Sequence, residues 1–359
     1  MSSAINNGSF SFNPEELKDW SKVINELTFG AKDLNDVHDV QQGIKHEQQI
    51  VFAGRMGLLG KKVGAGCTPN EVTGITLTNK FWTPAFEDFR LKHCTTDVDQ
   101  QDKLVNQMAR MNPDFYSVLD GSQKVVGDFL VATVLEAVKE NLWRKVWFDD
   151  TVAATFANSG NFTNGTDLDY FNSFNGLFKQ IFATTSLTTG GKYFTAIAKN
   201  AGASYAAQAL ATGDAIAACK GVYNKADSRL RNRTDVKILV TRSIYDGLVN
   251  DLEGIQNAGG FTQTNEGGVS MLKYRGIEVK MMDTWDRFID DYQDNGTKMF
   301  LPHRVVMTVS TNIPIGTLAT DDFGKLEAFY DMYHKVNVID GVYSLDAKLM
   351  EDYLTSVAY

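Results

Sequence analysis

Between Gln123 and Phe148, Val126, Phe129, Leu130, Thr133, Val134, Ala137, Val138, Asn141, Leu142 and Val146 recur at intervals of three and four. That spacing traces one wide stripe along an α-helix. Pro113 and Gly121 bound the run upstream, and Asp149-Asp150 lie just beyond it. At 1.5 Å per residue its ~26 residues span roughly 40 Å. A helix of that length is a structural spine, so the other elements must be arranged along it.

Residues 1–45 read as a polar arm. Asn13-Pro14-Glu-Glu-Leu17 opens a short helix, with Pro14 at its first position and acids in its first turn. Leu17, Trp20, Val23, Ile24 and Leu27 continue it at helical spacing. Residues 50–96 change character. Gly54, Gly57, Gly60, Gly64 and Gly66 punctuate a segment carrying Arg55, Lys61 and Lys62. Ile75 to Trp82 begins with strand alternation, and Phe86 to Cys94 is again rich in strand formers. Extended arms with a glycine-rich, basic tip describe a long hairpin. A hairpin is marginal alone in water, so this one needs a neighbour to lie on.

Beyond the spine, Ala157 to Asp167 reads as a loop and a domain edge. Ala196 to Ala226 holds 12 alanines and predicts closely packed helices. Asp214 is placed to cap one helix and Ser243 the next, on either side of a buried strand at Val236–Thr241. Gly259-Gly260 ends the second helix. Strands follow at Val269–Tyr274, Ile277–Met281 and Arg304–Ser310, the first two joined by a turn at Arg275-Gly276. Asp340-Gly341 predicts a further tight hairpin between Val336–Ile339 and Val342-Tyr343.

Composition narrows the classes. A chain of 359 residues suggests about two compact units. With 43% hydrophobic and 22% charged residues it supports a sizeable core. Acidic residues outnumber basic ones 44 to 35, which argues against a nucleic-acid-reading surface. Three cysteines without a CxxC pair exclude a disulfide scaffold and fit a reducing compartment. The first thirteen residues lack the basic and apolar regions of a signal peptide, and no stretch approaches ~18 uninterrupted apolar residues. The expectation is a soluble globular protein with no membrane partner.

Chemistry-bearing motifs are sparse. Gly54 to Lys62 fails as a phosphate loop, because five residues separate Gly54 from Gly60 and Lys62 stands where a hydroxyl is needed. Asp291 to Pro302 fails as a calcium loop, with Gln293 third and Pro302 last. His38, His46, His93, His303 and His334 form no metal-ligand spacing. Asp283, Asp286, Asp290, Asp291 and Asp294 read as solvated acids on a loop. No catalytic, cofactor-binding or metal site is expected, and the chain is read as no enzyme.

The order of elements resembles the major capsid proteins of tailed bacteriophages, with the Hong Kong 97 fold. Ile75 to Cys94 is similar to the descending limb of that fold's extended loop, and Gln123 to Phe148 to its spine helix. Val236 to Gly254 is similar to the strand-then-helix unit of the axial domain, and Tyr274–Val279 and Met307–Thr317 to its later strands. The resemblance implies an α+β fold. Its parts are an N-terminal arm (1–46), an extended loop (47–98) and a peripheral domain with the spine helix (99–170). An axial domain (171–325) and return strands (326–359) complete it.

It also implies a shell subunit that self-assembles as hexamers and pentamers into an icosahedral container around double-stranded DNA, without reading its sequence. Many relatives carry an N-terminal scaffolding segment of about a hundred residues. The spine begins near 123 here, after a full loop, so a separate scaffolding protein is expected. Portal and decoration proteins are further partners, and the place is the virion, assembled in the host cytoplasm. Some relatives form a Lys–Asn link between subunits; Lys61 and Lys62 sit where such a lysine would lie, with no Asn partner or catalytic Glu identified. The expected inter-subunit contacts are Arg55, Lys61, Lys62, Trp82 and Phe86. An encapsulin-like protein compartment and a cytoplasmic α/β enzyme with an unrecognised site are the alternatives.

Overall fold

The computed structural model describes residues 32–44, 47–53, 77–94, 125–152, 168–254, 261–266, 269–317, 325–331, 333–334 and 336–359. The expected arm helix from Asn13 to Leu27, the glycine-rich tip, the loop at Ala157–Asp167 and Gly259-Gly260 lie outside them.

The spine helix is present as α2 (Val125–Phe148), following α1 (Lys32–Val37). Its stripe buries Val138, Leu142, Val146, Trp147 and Phe148. Aromatic rings close around its end. Trp147 packs edge-on to Trp285 at 4.6 Å, and Phe148 stacks on Phe288 at 4.1 Å. Such pairs add to the area term because ring edges and faces carry opposite partial charge. Trp285, Phe288 and Ile289 come from a further helix, Asp283–Tyr292. The acids from Asp283 to Asp291 are therefore on a helix and not on a loop, because those three apolar residues at spacings of three and one commit the segment to an inward face. Asp294 follows in the turn beyond it.

A seven-stranded sheet runs β5 (Phe194–Thr195), β14 (Ser356–Ala358), β10 (Val305–Val309), β6 (Val236–Val240), β9 (Ile277–Met281), β8 (Val269–Tyr274) and β7 (Phe261–Glu266). Both faces are covered. Val306 and Leu239 join the aromatic cluster, while Val305, Met307, Ile238 and Val240 point the other way. Strand side chains alternate, so a strand buried on both faces reads as an unbroken apolar run. On that second face lie α4 (Asp214–Lys225) and α5 (Arg242–Gly254), the helix α3 (Leu177–Ala183) being on the aromatic side. Gly247 of α5 approaches Ala215 so closely that an added Cβ would lie 3.0 Å from the alanine methyl. The alanine-rich stretch thus gives close helix packing at α4, whereas before it the chain forms only single-turn helices at Ala198–Ala201 and Tyr205–Gln208. The caps sit one or two residues earlier than expected. Gly213 (φ +89°) precedes Asp214, and the Thr241 carbonyl accepts from Ile244 N and Tyr245 N ahead of Ser243. The turn at Arg275-Gly276 is observed, with φ of +50° and +83°, the left-handed pair that a two-residue hairpin loop requires.

A second sheet has five strands. The strand β13 (Val336–Ala347) pairs with β4 (Ala85–Cys94) on one side and β12 (Lys325–Asp331) on the other, and β11 (Ile315–Gly316) links it to β1 (Val40–Gln41). Asp340-Gly341 is no hairpin: β13 runs straight through it, paired to Arg90 and Phe89 in β4 and to Glu327 and Leu326 in β12. The glycine serves a different need. A Cβ there would come 2.4 Å from Phe89 Cζ, so the residue makes room for the ring opposite. The C-terminal β14 leaves this sheet for the seven-stranded one. Finally, β2 (Gln48–Ala53) and β3 (Leu77–Trp82) form a separate two-stranded ladder, while β4 belongs to the five-stranded sheet.

Candidate assembly surface

The ladder of β2 and β3 runs from Gln48 opposite Trp82 to Ala53 opposite Leu77. Residues 54–76, with Arg55, Lys61 and Lys62, lie outside the described residues. Its root is pinned. Trp82 is 2% exposed, and its ring sits over Gly316, where a Cβ would meet ring carbons at 2.8–2.9 Å. One residue later, Thr83 N donates to Asp346 Oδ2 at 2.7 Å, and Lys348 Nζ bridges Thr83 Oγ1 and the same carboxylate at 3.0 and 3.1 Å. Burial pushes the Asp346 carboxyl up, and Lys348 opposes it. Lys80 Nζ donates to the Leu349 carbonyl, and burial pushes its ammonium down. Trp82, expected to touch a neighbour, is instead buried in its own chain. Its size and apolar character fit either role, and only the position of Gly316 decides.

Phe86 stands outward, 62% exposed. Strand alternation explains it. Glu87 turns inward to Lys145 and Phe89 packs on the core, so Phe86, Asp88 and Arg90 face out. Phe81, 46% exposed, and Leu91, 37% exposed, lie on the same two strands. Among the described residues β4 has β13 as its single partner strand, so its other edge presents ten residues of backbone. Unpaired strand edges are templates for another chain. A third outward feature is the turn after β12, where Asp331 accepts from Tyr333 N at 2.9 Å and His334 Nδ1 at 2.6 Å. The braced turn displays Tyr333, 89% exposed. The sequence reading missed Phe81, Leu91 and Tyr333. Phe81 and Leu91 are indistinguishable from core residues until the strand partners are known.

Elsewhere, polar side chains meet inside the fold. Ser243 Oγ donates to His303 Nδ1 at 2.7 Å, while His303 Nε2 donates to the Gln208 carbonyl at 2.7 Å. Burial pushes the imidazole down, so it stays neutral. The residues come from α5 and the entry to β10, sixty positions apart, with no motif to announce them. His303 is 5% exposed, and the pair ties α5 to the adjoining loop. Asp286 accepts from Arg242 N at 2.9 Å, and burial raises its carboxyl to about 6. Among the described residues no group of three or more His, Cys, Asp or Glu is placed to hold a metal. No described helix is long and apolar enough to cross a membrane.

No protein-family model and no curated protein matches the chain. Solved structures do. A chain of the satellite phage P4 procapsid including the size determination protein aligns at 10% identity and TM-score 0.54, over 94% of this chain and 96% of that one. A structure of Gordonia phage Cozz aligns at 10% identity and TM-score 0.51, over 90% and 85%. The SrpI encapsulin complex of Synechococcus elongatus PCC 7942 aligns at 7% identity and TM-score 0.50, over 92% and 88%. The α+β architecture is that of the Hong Kong 97 capsid fold.

Proposed function

We propose that many copies of this chain tile a closed icosahedral shell around double-stranded DNA, as hexamers and pentamers and with no catalytic step. The observation that carries this reading is the exposed pair Phe81 on β3 and Phe86 on β4, with β4 paired along one edge only among the described residues and the hairpin root fixed by Trp82. Fully burying an aromatic or aliphatic side chain stabilises by ~1.5–3 kcal/mol. One such contact is weak, but a shell repeats it at every subunit boundary. The likeness to a phage P4 procapsid chain supports the same reading.

Charge supplies the second part. The sequence expects Arg55, Lys61 and Lys62 at a basic loop tip, and in a chain of formal charge −9 such a tip would be drawn to acidic residues of a neighbouring copy. Such contacts are screened within ~10 Å at 0.1 M salt. The net negative charge also disfavours adhesion of the shell to its DNA. Under this reading a separate scaffolding protein guides closure, portal and decoration proteins join the shell, and its place is the virion after assembly in the host cytoplasm. The divisions at 46, 98, 170 and 325 are proposed on the same basis. The likeness to an encapsulin favours a second reading, a shell enclosing protein.

Light scattering with negative-stain imaging of the purified chain, with and without a lysate supplying scaffold, tests the proposal. Closed particles of tens of nanometres that dissociate as salt rises are expected, and nucleic acid inside them separates the two readings. A small oligomer that forms no particles under either condition overturns both.

A further inference from the structure

In the seven-stranded sheet β6 and β9 run parallel, Ile238 beside Val279. The chain enters both at one end of the sheet and leaves both at the other, and the two ends differ in charge. Arg231 and Arg233 lead into β6, and the Arg275-Gly276 turn leads into β9. From Lys220 to Asp235 there are five cations and two carboxylates. Both carboxylates are engaged, Asp227 by Arg229 at 2.9 Å and Asp235 by Arg233 at 2.6 Å. Lys220, Lys225, Arg231 and Arg275 are exposed and pair with no carboxylate among the described residues. Arg275 and Arg231 lie 4.6 and 5.9 Å from the centre of one ring, that of Tyr223 in the last turn of α4. The ring face attracts both guanidinium groups, so two like charges are held side by side.

Acids gather where the same strands end. β6 passes into α5 at Arg242 and β9 into the helix Asp283–Tyr292, with Met282 N donating to the Val240 carbonyl at 2.9 Å. Asp283, Asp286 and Asp290 follow at spacings of three and four, which places them on one face of that helix. The cations nearest to them in sequence are engaged, Arg242 with Asp246 at 3.4 Å and Arg287 with Glu140 at 3.3 Å. Asp283 and Asp290 are exposed and pair with no cation among the described residues. Burial raises the Asp286 carboxyl, the Arg242 N–H opposes the rise, and the charges of Asp290 and Asp283 add to it. The three acids therefore repel one another until a cation arrives.

We propose that the cationic end of this sheet, around Tyr223, docks head to tail on the Asp283–Asp290 face of a second copy of the chain. This contact rests on the shell reading and names the surfaces through which its rings close. The charges complement each other but cannot meet within one chain. The five residues of β6 separate the two ends by roughly 16 Å, beyond the ~10 Å over which exposed charges act at 0.1 M salt. Either end set against its own copy brings like charges together, so a two-fold pairing through these ends is disfavoured. A contact between unlike ends is heterologous, and it closes into a ring when the rotation allows. Exposed ion pairs add little adhesion each, but they select which faces meet.

Charge swaps at these exposed positions test the contact, read by native mass spectrometry and light scattering of the full chain. One variant carries Arg231→Glu with Arg275→Glu, which makes both ends acidic. The other carries Asp283→Lys with Asp290→Lys, which makes both basic. Each alone should need at least a tenfold higher concentration than the native chain to assemble. Mixed in equal amounts they should assemble again, in rings of alternating copies. Alternation requires an even number, so sixfold rings return and fivefold rings do not. The chain with all four changes should assemble like the native one. Recovery on mixing also excludes misfolding as the cause of either loss. Native-like assembly of either variant alone overturns the contact and leaves the shell reading standing. Loss without recovery, in the mixture and in the fourfold variant, overturns it too. Rings kept by the Arg231→Glu, Arg275→Glu variant while binding to a short DNA duplex is lost assign the patch to nucleic acid, against the proposal. If the native chain forms neither rings nor particles, the shell reading and the contact fail together.

Discussion

Replacing Trp82 by alanine removes a ring that is 2% exposed and rests on Gly316 beside Ile44. Gly316 cannot move inward to fill the space, since its backbone is held in β11 by pairing to Asp346. A Trp-to-Ala change in such a site costs ~3–5 kcal/mol, the lost transfer energy plus an unfilled cavity. About 4 kcal/mol is close to a thousandfold in the unfolding equilibrium. Phe86→Ala gives the contrast. Its ring is 62% exposed, so its removal should alter chain stability by no more than ~0.5 kcal/mol. Urea unfolding followed by circular dichroism measures both, and particle yield by light scattering measures assembly. Trp82→Ala should shift unfolding strongly, whereas Phe86→Ala should leave unfolding in place and cut particle yield. If Phe86→Ala unfolds as easily as Trp82→Ala, or if Trp82→Ala unfolds like the native chain, the assignment of an inward pin and an outward contact is wrong.

Gly341→Val places a branched side chain where a Cβ alone would lie 2.4 Å from Phe89 Cζ; thermal unfolding should show a loss of ~1–3 kcal/mol, with partial recovery when Phe89→Ala is added. His38 donates from Nδ1 to the Ile313 carbonyl at 2.8 Å between Trp143 and Trp147, and burial pushes it to about 4. Its folded value is depressed, so its contribution is fully present above 6.5 and is lost as pH falls from there toward 4. The difference between native and His38→Gln unfolding free energies should change by about 3 kcal/mol across that window, and a difference independent of pH would refute the assignment.

Local patterns carried the long helix, the β6–α5 unit and the Arg275-Gly276 turn, because each is specified by neighbours within a few residues. Asp340-Gly341 misled for the same reason. Its dipeptide favours a turn locally, but pairing with β4 along ten residues and β12 along seven outweighs it. The acids after Met282 looked like loop residues because they outnumber Trp285, Phe288 and Ile289, yet those three decide the segment's conformation. The junction of Glu87 with Lys145 spans 58 positions and the Ser243–His303 pair spans 60. Nothing in a linear pattern brings such residues together, since their meeting is a property of sheet order. Trp82 and Phe86 differ in role because one lies over a glycine and the other turns away from the core.

An open strand edge flanked by exposed aromatics is also a hazard, because any extended chain can pair with it. On β4 the outward residues are Phe86, Asp88, Arg90 and Lys92, all exposed. Arg90 is already committed to Asp340, its Nε lying 3.2 Å from the carboxylate. A partner that covers Phe86 must therefore meet Asp88 and Lys92 with opposite charges in the matching order. A strand displaced by one or two residues buries those charges unpaired, which costs more than covering one aromatic ring gains. The charges lower the strength of the correct contact a little and the incorrect ones far more. Under the proposed shell reading a subunit joins many identical copies, and there such selectivity matters more than adhesion, which accounts for an outward face of β4 that is not apolar throughout.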